Sequence, residues 1–257
     1  MRVRAERSAS RSSGGWPLGH LAPIGRIGEE SQPEILRSFR AQDDSSLNMR
    51  PLAAVILAAG RGERMNSDLA KVLHRAAGKA LIEHVLDAVR AAGIKRIAVV
   101  IGTQGKQLRS FLTNVTFVEQ KVRLGTAHAV LQAKPEFGNW PGDLLVLPAD
   151  APCIQFETIR QLVETHRKSG AAASILTAEV LNPFGYGRIL RRNEEVVGIR
   201  EELGTSEDER QITEINSGIY VFNARKLFGE LVSIKPNSKK KEYYLTDVIE
   251  TFAQAGE

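Results

Sequence analysis

From Leu52 onward, short apolar runs of six to ten residues alternate with longer stretches in which apolar residues recur every three or four positions. The short runs are "LAAVILAA" (52–59), "RIAVVIG" (96–102), "VTFVEQ" (115–120), "DLLVLPAD" (143–150) and "AAASILTAEV" (171–180). They are rich in Val, Ile and Leu and end in Gly, Pro or Asp, which predicts buried strands. Between them, "KALIEHVLDAVRAAG", "GTAHAVLQA" and "FETIRQLVETHRKSG" carry helical spacing, with Gly93 and Gly170 as stops for the first and third. Strands alternating with helices predict an α/β fold with a doubly wound, mostly parallel sheet covered on both faces.

After about residue 180 the period changes. "YGRILRRNEEVVGIREE" and "RQITEINSGIYVFN" alternate apolar with polar, with a short turn at 192–194. They predict a small antiparallel addition at one edge or lip of the sheet. Residues 1–48 fit neither pattern: an Arg/Ser-rich start is followed by prolines and glycines that interrupt every periodicity. This stretch reads as a disordered or non-native extension, with translation starting at Met49, and residues 49–257 as the folded domain. Its opening also mimics an organellar presequence. With seven arginines against six acids it is no polybasic nucleic-acid arm.

The 257 residues are 42% hydrophobic and 25% charged, an ordinary globular balance. No run reaches the length needed to span a bilayer, so a cytoplasmic protein without a membrane partner is expected. A single cysteine, Cys153, excludes an intrachain disulfide and a cysteine-built zinc site. The formal charge of +5 fits either nucleic acid or a small anionic substrate, and the placement of the cations decides.

In an open α/β sheet, ligands bind beyond the carboxyl ends of the strands. The first strand ends in "GRGERM", where Gly60 and Gly62 admit a phosphate to the backbone and Arg61, Arg64 and then Lys71 supply charge. A tight turn with solvated arginines is the plain alternative. A Walker loop fails on spacing, and a dinucleotide fingerprint fails because Met65 holds the third glycine position. A second strand end, "LPADAPC", delivers one carboxylate, Asp150, where a divalent ion on a triphosphate would sit; a turn cap before Pro152 is its alternative. The five histidines show no metal spacing, and His84 and His128 fall within helices as surface or core residues. "KPNSKKKEYY" reads as a solvated loop or a lid over phosphate rather than a nucleic-acid patch, and Cys153 as a small apolar residue.

Together, "LAAGRGERM", Lys71, "LGTAHA", "FGYGRI", "EINSGIYVF" and "EYYLTDVI" resemble the uridyltransferase half of bacterial bifunctional N-acetylglucosamine-1-phosphate uridyltransferases/glucosamine-1-phosphate acetyltransferases. The resemblance covers about Ala53 to Ala255. It implies synthesis of UDP-N-acetylglucosamine, a precursor of peptidoglycan and lipopolysaccharide, and pyrophosphate from UTP and N-acetylglucosamine 1-phosphate, with magnesium as cofactor. By the same resemblance, Arg64 and Lys71 are catalytic on the phosphates, and Leu57, Ala58, Ala59 and Gly60 bind the nucleotide through the backbone. Gln120, Gly125 and Thr126 read the uracil; Asp150 holds magnesium; Gly187, Glu201, Asn216 and Thr246 take the sugar and its phosphate. Transfer of another nucleotide or to another sugar phosphate, and a nucleotide-binding remnant without turnover, are the alternatives.

The chain departs from the family's pattern at Ala70, where proline is usual, at Pro148 and Ala149, at Arg123, and at Leu203 and Gly204, where a lysine is expected. The family's second magnesium ligand, an asparagine, and its acetyltransferase β-helix domain would lie beyond Glu257. The nucleotidyltransferase domain is therefore expected to be incomplete at its C-terminus, and the family's trimer is not expected through this segment.

Overall fold

In a computed structural model, the structure describes residues 50–60, 67–102, 105–237 and 241–257. The extension 1–48, the motif residues Arg61, Gly62, Arg64 and Met65, and part of the lysine-rich segment lie outside them.

The first strand, β1 (Leu52–Ala58), lies inside the parallel part of the sheet. It pairs in parallel with β4 (Arg96–Ile101) on one side and with β6 (Asp143–Pro148) on the other, and β5 (Thr116–Glu119) extends the parallel set beyond β4. A small hairpin, β2 (Arg75–Ala76) and β3 (Lys79–Ala80), leads into the first helix, α1 (Leu81–Ala91). Alternate side chains of β1 point to opposite faces, so Ala54 and Ile56 join one core layer and Ala53 and Val55 the other.

The first layer is closed by α1 and α5 (Phe156–Ser169), whose buried residues follow helical spacing: Ile82, Val85, Leu86 and Val89, then Ile159, Leu162, Val163 and His166. The stops are as the glycines predict, Gly93 at φ +92° and Gly170 in the left-handed region at φ +66°. A short helix that no periodicity announces, α2 (Gly105–Phe111), adds Leu108 to this layer. The second layer is built by α3 (Thr126–Leu131), α4 (Lys134–Phe137), α6 (Ala224–Glu230) and α7 (Thr246–Gln254).

The remaining strands are antiparallel: a hairpin at the sheet edge, as expected, and two strands that run further into the sheet. β8 (Arg188–Arg192) and β9 (Glu195–Arg200) make a hairpin whose turn uses Asn193 at φ +57°. The ten-residue β10 (Glu214–Asn223) enters the main sheet beside β6 through Tyr220–Asn223. β7 (Ala173–Glu179) pairs antiparallel along β10, so the alternating-period strand sits inside the sheet rather than covering its edge. A bulge between Asn216 and Ile219, with Gly218 at φ +79°, lies between the part of β10 that pairs with β6 and the part that pairs with β8.

At the amino end of the parallel strands, Asp143 is fully buried and ties β6 to α5. Arg167 Nε donates to it at 2.8 Å, Arg50 Nη1 lies at 4.0 Å and His166 Nε2 at 3.7 Å. Burial first, then the two arginines, lowers the His166 pKa, so that ring is neutral near pH 7. Removing the carboxylate strands a buried guanidinium. Asp143→Ala is expected to lose about 3 kcal/mol of stability, read as a lower urea midpoint, with the site at the opposite strand ends unchanged in its substrate KM values. Among the described residues no helix is long and apolar enough to cross a membrane.

Candidate active site

The carboxyl ends of the parallel strands β1, β4, β5 and β6 share one edge of the sheet, and the chain places most of the predicted residues along it. Leu57 and Ala58 end β1, Ala59 and Gly60 follow, and Leu57 is in register with Pro148 of β6. Ala149 N donates to Leu57 O at 3.0 Å, which brings Asp150 beside the β1 end. A Cβ on Gly60 would meet nothing within 4 Å, so its backbone fronts open space. A Cβ on Gly102, at the end of β4, would come 2.9 Å from Ala59 O, so a glycine is what allows β4 to close against this turn.

Lys71 opens a 3₁₀ turn (Lys71–Leu73) pinned by the buried Val72 and Leu73. Ala70 has φ −54° and ψ 132°, values a proline would adopt, and its N–H, which proline lacks, is taken by Gln107 Oε1 of α2 at 2.9 Å. The turn is therefore held without proline. The Lys71 ammonium forms an ion pair with Asp150 Oδ2. A carboxylate that already holds a cation is a hard-oxygen seat of the kind magnesium shares with phosphate oxygens. Among the described residues no group of three or more His, Cys, Asp or Glu could enclose a metal, so such an ion would take Asp150 plus oxygens from its ligand.

Gln120 follows β5 and is 3% exposed. Its amide nitrogen donates to Gly125 O at 3.1 Å and lies 2.9 Å from His128 Nδ1. Gly125, at φ +101°, precedes α3, and Thr126 is the first residue of that helix. A segment before α7 is strapped across this loop: Tyr243 N donates to Leu124 O (2.7 Å), Ala127 N to Tyr243 O (2.9 Å) and Leu245 N to Thr126 Oγ1 (2.9 Å).

The strap leads to a second group of polar residues. Thr246 Oγ1 donates to Glu201 Oε1 at 3.0 Å, joining α7 to the end of β9. Gly187, just before β8, lies between Glu201 and Asn216: a Cβ there would sit 3.0 Å from Ile199 Cγ2, 3.6 Å from Asn216 Cβ and 3.7 Å from Glu201 Oε1. Asn216 Nδ2 donates to the Tyr220 hydroxyl at 2.7 Å and its Oδ1 accepts Gly218 N at 3.0 Å. In a regular strand, side chains four residues apart do not touch, so it is the bulge that joins them. Burial raises the Tyr220 pKa, so the hydroxyl keeps its proton. Asp247 is pushed up to about 6, by burial first and then by the charges of Glu201 and Glu250.

The predicted residues thus fall into two linked groups, one around Lys71, Asp150, Gln120, Gly125 and Thr126 and one around Gly187, Glu201, Asn216 and Thr246. Arg64 lies outside the described residues. Sequence reasoning missed Tyr220, the Tyr243–Leu245 strap and Arg188. Arg188 is buried and bonds Tyr186 O, and it pairs with Glu202 Oε2 at 2.9 Å; the same oxygen accepts Gly185 N at 2.9 Å, which holds the loop before Gly187. The Gly185 N–H first, then Arg188, holds the Glu202 carboxyl below its usual range. An arginine beside a glycine, on a strand whose neighbours are apolar, was the available signal.

A mostly parallel sheet with Gly60, Lys71 and Asp150 at its carboxyl edge fits a nucleotidyltransferase-type α/β domain. The chain belongs to the MobA-like NTP transferase domain family, whose model matches residues 54–213. It is 48% identical over 207 residues to the bifunctional protein GlmU of Pelotomaculum thermopropionicum, covering 80% of this chain and 45% of that protein. It is 45% identical over 206 residues to the bifunctional protein GlmU of Streptococcus sanguinis, covering 79% of this chain and 45% of that protein. The chain therefore spans about half the length of the curated relatives it matches. Among solved structures it is similar to a UDP-glucose pyrophosphorylase complexed with UDP-glucose, with TM-score 0.69 and 22% identity over 80% of this chain and 88% of the other. The apo UDP-glucose pyrophosphorylase gives TM-score 0.68 at 21% identity over 79% and 88%. These two likenesses show the fold.

Proposed function

We propose that this chain transfers a uridylyl group: a phosphate oxygen of N-acetylglucosamine 1-phosphate bonds to the α-phosphorus of UTP as the bond to the bridging oxygen breaks, yielding UDP-N-acetylglucosamine and pyrophosphate. The observation that carries this reading is the presence in one domain of the Lys71–Asp150 cation seat and of the polar cluster in which Gly187 lies against Glu201 and Asn216. No covalent enzyme intermediate is needed, so the protein's work is in-line positioning and charge neutralisation.

In this reading the backbone from Leu57 to Gly60 receives the nucleotide, and Lys71, together with Arg64 of the glycine-arginine motif, neutralises its phosphates. Asp150 would hold magnesium, which when bound supplies charge neutralisation on phosphate oxygens. Gln120, Gly125 and Thr126 face the base; Glu201, Asn216 and Thr246 hold the sugar, and Gly187 leaves room for its acetamido group. The family resemblance of the motifs and the identity with the two GlmU proteins support the choice of substrates.

The direct test is magnesium-dependent pyrophosphate release by the 257-residue chain from UTP and N-acetylglucosamine 1-phosphate, with product identification. Binding of UDP-N-acetylglucosamine without release would instead describe a nucleotide-binding protein, and preference for CTP, GTP or another sugar phosphate would redefine the substrates. Gly187→Ala places a methyl among Ile199, Asn216 and Glu201. It is expected to raise KM for the sugar phosphate about tenfold, the scale of one misplaced methylene in a fitted pocket, and to leave KM for UTP within twofold.

A further inference from the structure

Gln120 lies beside Gly125 and the start of α3, and the orientation of its amide determines what it can read. Both contacts of its side chain are made by the nitrogen, and Oε1 accepts no hydrogen bond among the described residues. Gly125 O can only accept, so the group facing it must be the NH₂. The second hydrogen of that NH₂ points at His128 Nδ1, which makes Nδ1 the unprotonated ring nitrogen and puts the ring proton on Nε2. Burial lowers the His128 pKa, which keeps the ring neutral.

Gln132 Nε2 also approaches the ring, 3.2 Å from Nε2. A neutral imidazole has a single acceptor nitrogen, so the two amides cannot both donate to it. The Gln120 contact is shorter and more buried, and the Gln132 amide is already held by His128 O at 3.1 Å, so the ring's acceptor belongs to Gln120.

We infer that His128 is a positioning residue for base selection: its Nδ1 lone pair, together with Gly125 O, locks Gln120 with nitrogen inward and oxygen toward the nucleotide. The inference rests on the proposed role of Gln120 at the base. An outward acceptor beside the Gly125 N–H, which donates to nothing among the described residues, matches a pyrimidine with N3–H and a 4-oxo group. Cytosine presents the reverse, a lone pair at N3 and an amine at position 4, and meets two like groups. Two inward acceptors make the amide flip unfavourable; one acceptor fewer makes it accessible. In this inference His128 acts through Gln120.

The test uses the full chain and measures calorimetric affinity for UTP and CTP alongside pyrophosphate release with each. His128→Phe keeps a ring and removes the acceptor; His128→Leu is a second acceptor-free variant should the ring substitution melt early; His128→Asn restores an acceptor close to the Nδ1 position. The UTP:CTP affinity ratio is expected to fall about tenfold, the scale of one lost hydrogen bond, in His128→Phe and His128→Leu, and to stay within threefold of the parent in His128→Asn. Affinity for N-acetylglucosamine 1-phosphate should not change. An unchanged ratio in both folded acceptor-free variants, or an equal fall in all three, overturns the inference. Failure of the parent chain to prefer UTP overturns the base reading itself; binding of UTP without pyrophosphate release overturns the proposed reaction while leaving the His128 result decisive.

Discussion

Lys71→Ala is expected to lower kcat for pyrophosphate release on the order of 10²-fold or more, the cost of removing one preorganised donor from a charge-developing site, with a melting temperature within a few degrees of the parent. The small effect on stability follows from exposure: both partners of the Lys71–Asp150 pair are substantially open to solvent, and such pairs contribute little to folding. The turn that presents Lys71 is held by other means, by buried Val72 and Leu73 and by the Gln107 bond to Ala70 N. The catalytic loss therefore isolates the ammonium group itself. A kcat within threefold of the parent would remove Lys71 from the reaction.

Gly125→Ala is expected to damage both halves of the site at once. The residue sits at φ +101°, which costs an L-residue on the order of 1–2 kcal/mol, and its Cβ would fall 2.4 Å from Tyr243 O and 2.8 Å from Tyr243 N. These are backbone atoms of the strap, which cannot rotate away as a side-chain tip could. Relief requires the Tyr243–Leu245 segment to lift, breaking its bonds to Leu124, Ala127 and Thr126 and displacing Thr246 from Glu201. A total cost of roughly 3 kcal/mol follows once an overpacking term is included, or a fall of about 6–12 °C in melting temperature for a domain of this size. A displacement of about 1 Å at positioning residues should reduce kcat/KM on the order of 10²-fold for both substrates. An intact melting temperature together with unchanged kinetics would show that the strap does not couple the base loop to the sugar chamber.

The parallel half of the fold is legible because its signals are local. The apolar runs of β1, β4 and β6 are buried on both faces, and α1 and α5 carry their own stops, so period and punctuation suffice. The antiparallel half is decided by pairing between segments far apart in the chain. The alternating period of β10 marks an antiparallel strand, but nothing in it indicates that Tyr220–Asn223 will pair with β6 inside the main sheet, or that β7 will run antiparallel beside it. α2 escaped because seven residues with a single buried leucine, Leu108, make no pattern.

The site divides in the same way. Gly60, Lys71 and Asp150 sit where strand ends and turn chemistry place them, and the resemblance to a known family supplied Gln120, Gly187, Glu201, Asn216 and Thr246. What the sequence could not supply is who holds whom. His128 read as an ordinary helical histidine because its partner, Gln120, lies across the β5–α3 loop. Tyr220 reaches Asn216 only through a bulge whose sole sequence mark is Gly218. Alanine at residue 70, where the family usually has proline, leaves an N–H that the Gln107 side chain on α2, thirty-seven residues away, accepts.

The central claim is that the carboxyl ends of β1, β5 and β6 receive the nucleotide. A crystal structure of the chain with magnesium and a non-reactive UTP analogue tests it most directly. The account predicts phosphate oxygens within about 3 Å of Gly60 N and Lys71 Nζ, and the base edge at hydrogen-bond distance from Gln120 Oε1 and Gly125 N. A nucleotide bound away from this edge, with Lys71 still paired to Asp150 and Gln120 untouched, would contradict it.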